Sequence, residues 1–557
     1  MAFVREAGLF LRTARHVSPL QPIHRLRLRG RLALERRSAF VASLSERGDC
    51  PSDDHWPIGF ESCDAQARGS WPPSAEVSSC LFPVLGYEVD LRPDGQLDPS
   101  LPQLVSYHAH YWDWAWALRD LPPAEARSAF AQLWASWAAS TPFPQGDAWS
   151  PYVVSLRSWS WCCQFDSLIR GGPAEDGVRR LLWQQLGYVR SHLEKDVGGN
   201  HLVKNLKAWL ALGIFFGSPK DVDLAARVIG AQITVQVLPD GGHYELAPAY
   251  HVQVLADLID VRDLLSAAGL PDSVPHLNDA IRSMQHFLGA VTGPDGRVVL
   301  LNDGYPVHQD IVRAVQPQPW PGGSVVLRDS GLARLECGPW TVFMDVGDPC
   351  PDQLPAHAHA DTLGCLVFFE QRRIIGEAFT STYGSADRRA YERSTAGHST
   401  IELSGENSTE VWGTFRAGRR ARVGEVTFLD LGAAGASVSA SHDGFRHLPG
   451  SPRHSREVVV TDSGVVITDR VSCDRETPFA VRWHVPLDPE QCDGPSAWIL
   501  DSSVELRVES EYPARVDRNA QAVGFEQLAE SSVITVHGSG HGTIVVQTRI
   551  TQHAEES

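Results

Sequence analysis

The sequence predicts an α+β multidomain protein in which a helical first half is followed by a β-sheet second half. Three observations predict it. Twelve of the 17 tryptophans precede Trp320, so the chain changes character near that point. From 100 to 290, apolar stretches of helical length are separated by Gly/Pro breaks. After 320, short β-branched runs bounded by Gly, Asp or Pro recur, a pattern of packed antiparallel strands. Helices first and strands later imply two separate architectures rather than an alternating α/β fold.

The elements follow in order. Residues 1–90 form a basic arm and irregular lead-in, 91–320 a helical domain and 321–557 a β domain. The first 37 residues carry nine Arg and two Glu, a local net of +7, with Arg25-Leu26-Arg27-Leu28-Arg29 its clearest part. Such an arm sits on a membrane surface or an acidic partner, or is a solvated or domain-packed helix. Thr141-Pro142-Phe143-Pro144-Gln145-Gly146 is one break. Gly171-Gly172-Pro173 is another, with helix to about Leu193. Residues 202–216, LVKNLKAWLALGIFF, suit a helix buried on more than one side. Further helices are expected at 220–237, 248–268 and 274–291. Asn302-Asp303-Gly304-Tyr305-Pro306 through Pro321 reads as the loop joining the halves. Strands are expected at Ser324–Arg328, Thr341–Asp345, Arg456–Thr461, Gly464–Asp469 and Ser532–Val536.

Bulk properties exclude some functions. The 557 residues are 43% hydrophobic and 21% charged, a soluble globular profile. No run of about 18 apolar residues predicts a membrane-spanning helix. A net charge of −18 argues against generic nucleic-acid binding. The ten cysteines are scattered and form no CxxC pair. Without a recognisable signal peptide, they read as free thiols in a reducing compartment, the cytoplasm. There is no GxSxG, P-loop, HExxH, zinc finger or strand–helix GxGxxG.

Four clusters carry candidate chemistry. Gly198-Gly199-Asn200-His201 opens the apolar helix, and helix starts attract anions; an Asn cap beside a surface His is the plainer reading. Asp240-Gly241-Gly242-His243-Tyr244-Glu245 precedes Tyr250-His251. A tyrosine is an acid/base only if nearby positive charge makes its proton labile; otherwise it packs. Pro355-Ala356-His357-Ala358-His359-Ala360-Asp361 sets two histidines at i and i+2, which point apart and favour two different jobs. Glu377 to Arg422 is the densest basic stretch of the second half. Its Arg388, Arg393, Trp412 and Arg416 suit forked contacts to carboxylates and stacking on a sugar ring, or else a solvated strand edge.

Taken in order, GGNHLVKN at 198–205, DGGHYELAPAYH at 240–251, PAHAHAD at 355–361, RSTAGHSTIEL at 393–403 and EVWGTFRAGRRARV at 410–423 resemble the heparinase II/III superfamily of polysaccharide lyases. The resemblance implies an incomplete α/α toroid followed by an antiparallel β-sandwich. It implies a carbon–oxygen lyase that cleaves a uronic-acid-containing polysaccharide or oligosaccharide by β-elimination. Asn200 and His357 would neutralise the uronate carboxylate, Tyr250 would be the acid, and Tyr250 or His201 the base. His359, Glu377 and His398 would hold a structural metal, zinc by preference. Glu377 replaces a family Asp, Lys204 replaces an acidic residue of some members, and Tyr244 is expected to pack. The alternatives are an eliminase acting on a smaller intracellular biosynthetic intermediate and a non-catalytic glycan-binding protein.

Overall fold

A computed structural model describes residues 2–37, 48–67, 69, 71–92, 97–316, 318–485, 488–492, 494 and 496–553, with side chains from residue 6. It has an N-terminal helical domain of the incomplete α/α toroid type followed by an antiparallel β-sandwich.

Two helices, Ala2–Ala14 and Leu20–Arg37, precede the helical domain. The domain's longer helices are Pro123–Ser140, Pro151–Gln164, Glu175–Ser191, Gly199–Phe215, Pro219–Gln236, Pro248–Ala267 and Leu277–Ala290. Four of these begin with proline in the first turn. There its missing N–H costs nothing and its fixed φ suits the helix. Gly199–Phe215 is buried nearly all round and packs against the 151–164, 175–191, 219–236 and 248–267 helices. The early tryptophans surround a buried cation. Arg157 lies 4.7 Å from the Trp137 ring, 5.2 Å from Trp149 and 5.6 Å from Trp161. Burial lowers its pKa to about 9, and it donates to the Ala148 carbonyl at 2.7 Å.

The stretch expected to be only a joining loop contains a helix, Gln309–Val315, and the Asn302–Asp303 turn ahead of it is buried. Asn302 takes a φ of 54°. It donates to the Leu246 carbonyl at 3.0 Å and accepts from the His359 amide at 3.1 Å. One side chain therefore ties the helical domain to the β domain.

The β domain has a five-stranded sheet, Val325–Leu327, Leu332–Cys337, Trp340–Asp345, Cys365–Phe369 and Arg372–Ile375, and a larger ten-stranded sheet. Two long strands, Gly464–Val485 and Gln527–Gln552, pair along nearly their whole length in the larger sheet. Alternating burial, as in Arg453–Thr461, turns one face inward. The core between the sheets includes Trp340, Val342, Ile467 and Trp483. Arg456 crosses it from the larger sheet. It pairs with Asp469 at 2.8 and 2.9 Å and donates to the Leu363 and Ser399 carbonyls at 2.8 and 2.7 Å.

Several imidazoles are buried in accepting roles. His110 accepts from the Trp137 indole at 2.9 Å, and burial lowers its pKa to about 3. His442 accepts from the Gly444 amide at 3.1 Å and is held well below its ordinary value by burial and by His454. Their folded pKa values are depressed, so the folded state binds fewer protons than the unfolded chain. This stability is present above the ordinary pKa of about 6.5 and is lost as pH falls below it. Urea denaturation should show stability dropping from pH 7 to 5.5, and His442→Gln should reduce that slope by up to about 1.4 kcal/mol per pH unit, the limit approached at the acid end.

Candidate active site

The site begins at the start of the Gly199–Phe215 helix. Gly198 and Gly199 have φ of 71° and 54°, a region open to glycine. The turn lets two side chains from the 240–251 segment cap the helix. The Tyr244 hydroxyl accepts from the Gly199 amide at 2.8 Å, and Glu245 Oε1 accepts from the Asn200 amide at 2.6 Å. A Cβ at 199 would lie 2.0 Å from Glu245 Oε1. The helix start does attract an anion, and that anion is the protein's own Glu245. Tyr244 caps rather than merely packs.

Glu245 also engages both residues expected to neutralise a uronate. Asn200 Nδ2 donates to its two oxygens at 3.1 Å each, and His357 Nε2 lies 2.6 Å from Oε2. Burial would raise the Glu245 pKa, but His357, His243 and the Asn200 amide bring it to about 2. The other His357 nitrogen, Nδ1, donates to Asp303 Oδ2 at 3.1 Å. With a carboxylate at each nitrogen, His357 is an imidazolium. Burial opposes the charge, yet Asp303 and Glu245 raise its pKa to about 9. Asp303 further accepts from His359 Nε2 at 2.9 Å and Arg389 Nη2 at 2.8 Å. It stays ionised despite full burial, because Arg389 and the two histidines outweigh desolvation.

Tyr250 comes from the first turns of Pro248–Ala267. Its ring lies 4.0 Å from the His357 ring, and its hydroxyl is 3.1 Å from that of Tyr383. Burial, Tyr383 and Asp303 push its pKa well above the ordinary value, so the phenol is protonated at neutral pH. Tyr305, which accepts from Gln253, meets the Tyr250 ring edge-on at 5.7 Å. His201 is the more open imidazole, its side chain 36% exposed, with Nδ1 3.2 Å from Glu194 Oε1. Its ring lies 4.2 Å from Tyr152. Burial pulls its pKa down, but Glu194 and Glu245 raise it overall. Nδ1–H donation to Glu194 leaves Nε2 as a lone-pair acceptor. Lys204 is paired with Asp257 at 2.8 Å.

The expected metal ligands meet beneath His357. His359 donates its Nε2–H to Asp303, and His398 donates its Nδ1–H to the Ser394 carbonyl at 2.7 Å. The remaining nitrogens, His359 Nδ1 and His398 Nε2, face each other at 3.1 Å. Burial depresses both pKa values, so two bare lone pairs oppose each other. A cation relieves that opposition, and the Asp303–His359 bond is the orienting contact of a metal-bound imidazole. Glu377 Oε2 is 3.9 Å from His398 Nε2, and Glu377 Oε1 and Asp361 Oδ1 are buried without partners. Among the described residues, no three His, Cys, Asp or Glu side chains are placed to hold a metal ion together. The two facing imidazole lone pairs are suited to a cation, but Glu377 as placed does not complete a three-residue set with them.

The residues expected to bind sugar are engaged by the protein's own groups. Arg393 is buried and donates to the Ala358, Gly413 and Arg416 carbonyls at 3.0, 2.9 and 3.1 Å. It is a loop brace, closed to a ligand. Arg388 pairs with Glu392 at 2.7 Å. Trp412 donates to Thr13 Oγ1 at 3.0 Å and meets Phe10 at 4.8 Å, so its indole packs on an N-terminal helix. Arg416 stacks over Trp412 and Phe10 at 4.7 and 5.1 Å. His243 and His251 are buried within the helical domain, bonded to Gln236 Oε1 and the Met284 carbonyl at 3.0 Å each. The reading by sequence missed Glu245, Asp303, Arg389, Tyr305 and Tyr383 as site residues. Glu245 was signalled by a helix start that needs an anion. Asp303 was hidden in an Asn-Asp-Gly stretch whose composition spells a turn.

Comparison with known proteins agrees with the fold. The Heparinase II/III N-terminus family matches residues 107–320, and the Heparinase II/III-like, C-terminal family matches 320–553. FtsZ-localized protein C of Caulobacter vibrioides is 25% identical over 451 residues, 78% of this chain and 74% of that protein. A heparin-sulfate lyase of Bacteroides stercoris is 27% identical over 158 residues, 27% of this chain and 23% of that protein. The crystal structure of heparinase III superposes with a TM-score of 0.72 at 13% identity, covering 92% of this chain and 89% of that one. The last likeness is one of fold.

Gly199→Ala forces a Cβ into the Glu245 carboxylate at a positive φ. It should destabilise the protein by more than about 1 kcal/mol in urea denaturation, whereas Gly296→Ala, at positive φ in open space, should show only the backbone part of that loss.

Proposed function

The chain belongs to the heparinase II/III-like family, and from that premise we propose that it is a polysaccharide lyase cleaving a uronic-acid-containing glycan by β-elimination. The observation that carries this is the protonated Tyr250 phenol packed 4.0 Å from the His357 imidazolium. A uronate C5–H is barely acidic while its carboxylate is ionised. Positive charge beside that carboxylate stabilises the enolate-like intermediate. His357 supplies the charge and Asn200 the amide dipole. Glu245 now accepts from both, and neutralisation requires that it yield these donors to the substrate carboxylate.

His201 Nε2 takes the C5 proton, with Glu194 stabilising the imidazolium that forms. The C5–H electrons become the C4=C5 double bond as the C4–O bond breaks. Tyr250 gives its proton to the departing oxygen. A phenol protonated at neutral pH has a proton to give and no phenolate to take one, which leaves the base role to His201.

His359, His398 and Glu377 would hold one divalent ion, and two imidazoles with a carboxylate suit zinc. Bound there, the ion would supply structural cross-linking of the 355–361 and 393–403 segments. The ten free cysteines, eight of them buried, support the cytoplasm as the working compartment, where a short acidic glycan or biosynthetic intermediate is the accessible substrate.

One observation favours a second reading, a glycan-binding protein without turnover. Glu245 already engages Asn200 and His357, so an incoming carboxylate meets filled donors.

An elimination assay decides between them. The protein is incubated with heparan sulfate, alginate, hyaluronan and short uronides, and the ultraviolet band of the unsaturated product is followed. Tyr250→Phe should lower the rate by about 10²–10⁴-fold with unchanged circular dichroism. Binding of these glycans without product from any of them would favour the second reading. For the metal, elemental analysis should find about one ion per chain and its loss in His359→Ala; equal contents would remove the metal from the account.

A further inference from the structure

The helix Leu20–Arg37 presents two opposed faces. Gln21, His24, Leu28, Arg31, Leu32 and Glu35 turn toward the protein. Glu35 is buried against His192 Nε2 at 2.8 Å and bonded by Arg31 at 2.8 Å. Gln21 Nε2 reaches the Asp196 carbonyl at 3.4 Å and the Gln353 carbonyl at 3.0 Å. The preceding helix is fixed by a paired Arg12–Glu410 contact at 2.7 and 2.8 Å. These helices are docked, not dangling.

The outward face carries large apolar side chains among its arginines, where a soluble helix would be polar throughout. Leu20, Ile23, Leu26 and Leu34 are 61%, 59%, 72% and 58% exposed. At 100° per residue they share one face. Exposed Arg27 and Arg37 lie within the same arc, and exposed Arg25, Arg29 and Arg36 form a row on its flank. Among the described residues, six of the sixteen exposed large hydrophobic side chains lie between Phe10 and Leu34, so the exposure is concentrated, not scattered. The charge is segregated as well. The first 37 residues carry +7 within a chain of −18, which leaves −25 on the remainder.

We propose that this face is a docking surface for an anionic lipid bilayer. Exposed leucine and isoleucine side chains interspersed with arginines, and flanked by a further arginine row, match the boundary where acyl chains meet anionic headgroups. An acidic glycan would satisfy the arginines and leave the apolar side chains in water. The −25 body is repelled by the same bilayer, so only this edge can face it, and the orientation is set by charge. Among the described residues no helix is long and apolar enough to cross a membrane, and attachment is peripheral. This inference does not depend on the lyase reading.

The full chain is sedimented with vesicles of phosphatidylcholine alone and of phosphatidylcholine with phosphatidylglycerol. It should co-sediment with the anionic vesicles and stay in solution with the neutral ones. Leu26→Ser/Ile23→Ser and Arg25→Glu/Arg29→Glu should each weaken anionic binding by at least about tenfold. All four side chains are exposed, so unfolding midpoints should match the parent and glycan binding should be unchanged. Equal partition onto neutral and anionic vesicles would overturn the proposal, as would parent-like binding by both variants. A chain that ignores all vesicles, but whose self-association in sedimentation velocity is lost in the serine variant, would assign the face to a second copy and likewise overturn it.

Discussion

The buried carboxylate of Asp303 organises the rest of the site. It has no exposure, yet it accepts from His357, His359 and Arg389. An isolated carboxylate at that depth would protonate rather than bear the desolvation cost. Arg389 and the imidazolium keep it charged, and it in turn determines what each histidine is. His357, shared with Glu245, carries a proton on both nitrogens. His359 donates one N–H to Asp303 and is left with a lone pair facing His398. One aspartate thus gives two histidines, two residues apart, opposite chemistry.

The architecture was largely legible from the sequence. Apolar runs of helical length, bracketed by Gly and Pro, anticipated Gly199–Phe215 and Pro248–Ala267, and the β-branched runs anticipated Trp340–Asp345 and Arg453–Thr461. These signals are local periodicities, and local periodicity survives in a single sequence. The centre of the site was legible where motifs name it, at Asn200, His201, Tyr250 and His357. Its partners were not, because pairings such as His357 with Asp303 and Glu245 span 54 and 112 residues and leave no local trace. The basic stretch from 377 to 422 shows the same limit. Arg389 meets Asp303, Arg393 braces carbonyls and Arg388 pairs with Glu392. Composition alone cannot sort three arginines in six residues.

Burial and charge divide the histidines. His110, His243, His251 and His484 are neutral and structural, each depressed chiefly by burial. His357 alone among the deeply buried imidazoles is raised to about 9, because it alone lies between two ionised carboxylates. The N-terminal helices follow a related logic on the surface. They are held by Glu35 and Arg12 on their inner side, which leaves the other side free to differ from an ordinary soluble face.

Asn302, Asp303 and Tyr305 lie on the segment that connects the helical and β domains, and that location restricts how the protein can be taken apart. The two halves look like cassettes, with family boundaries meeting at 320. A chimera spliced there would retain Asp303 with the helical half but pair it with a foreign counterpart of His357, His359 and Arg389. Domain exchange in this chain therefore has to treat the connector and the histidine loop as one inherited unit, the more so because the helical core itself takes in Phe343, Leu366, Phe368 and Phe379 of the β domain.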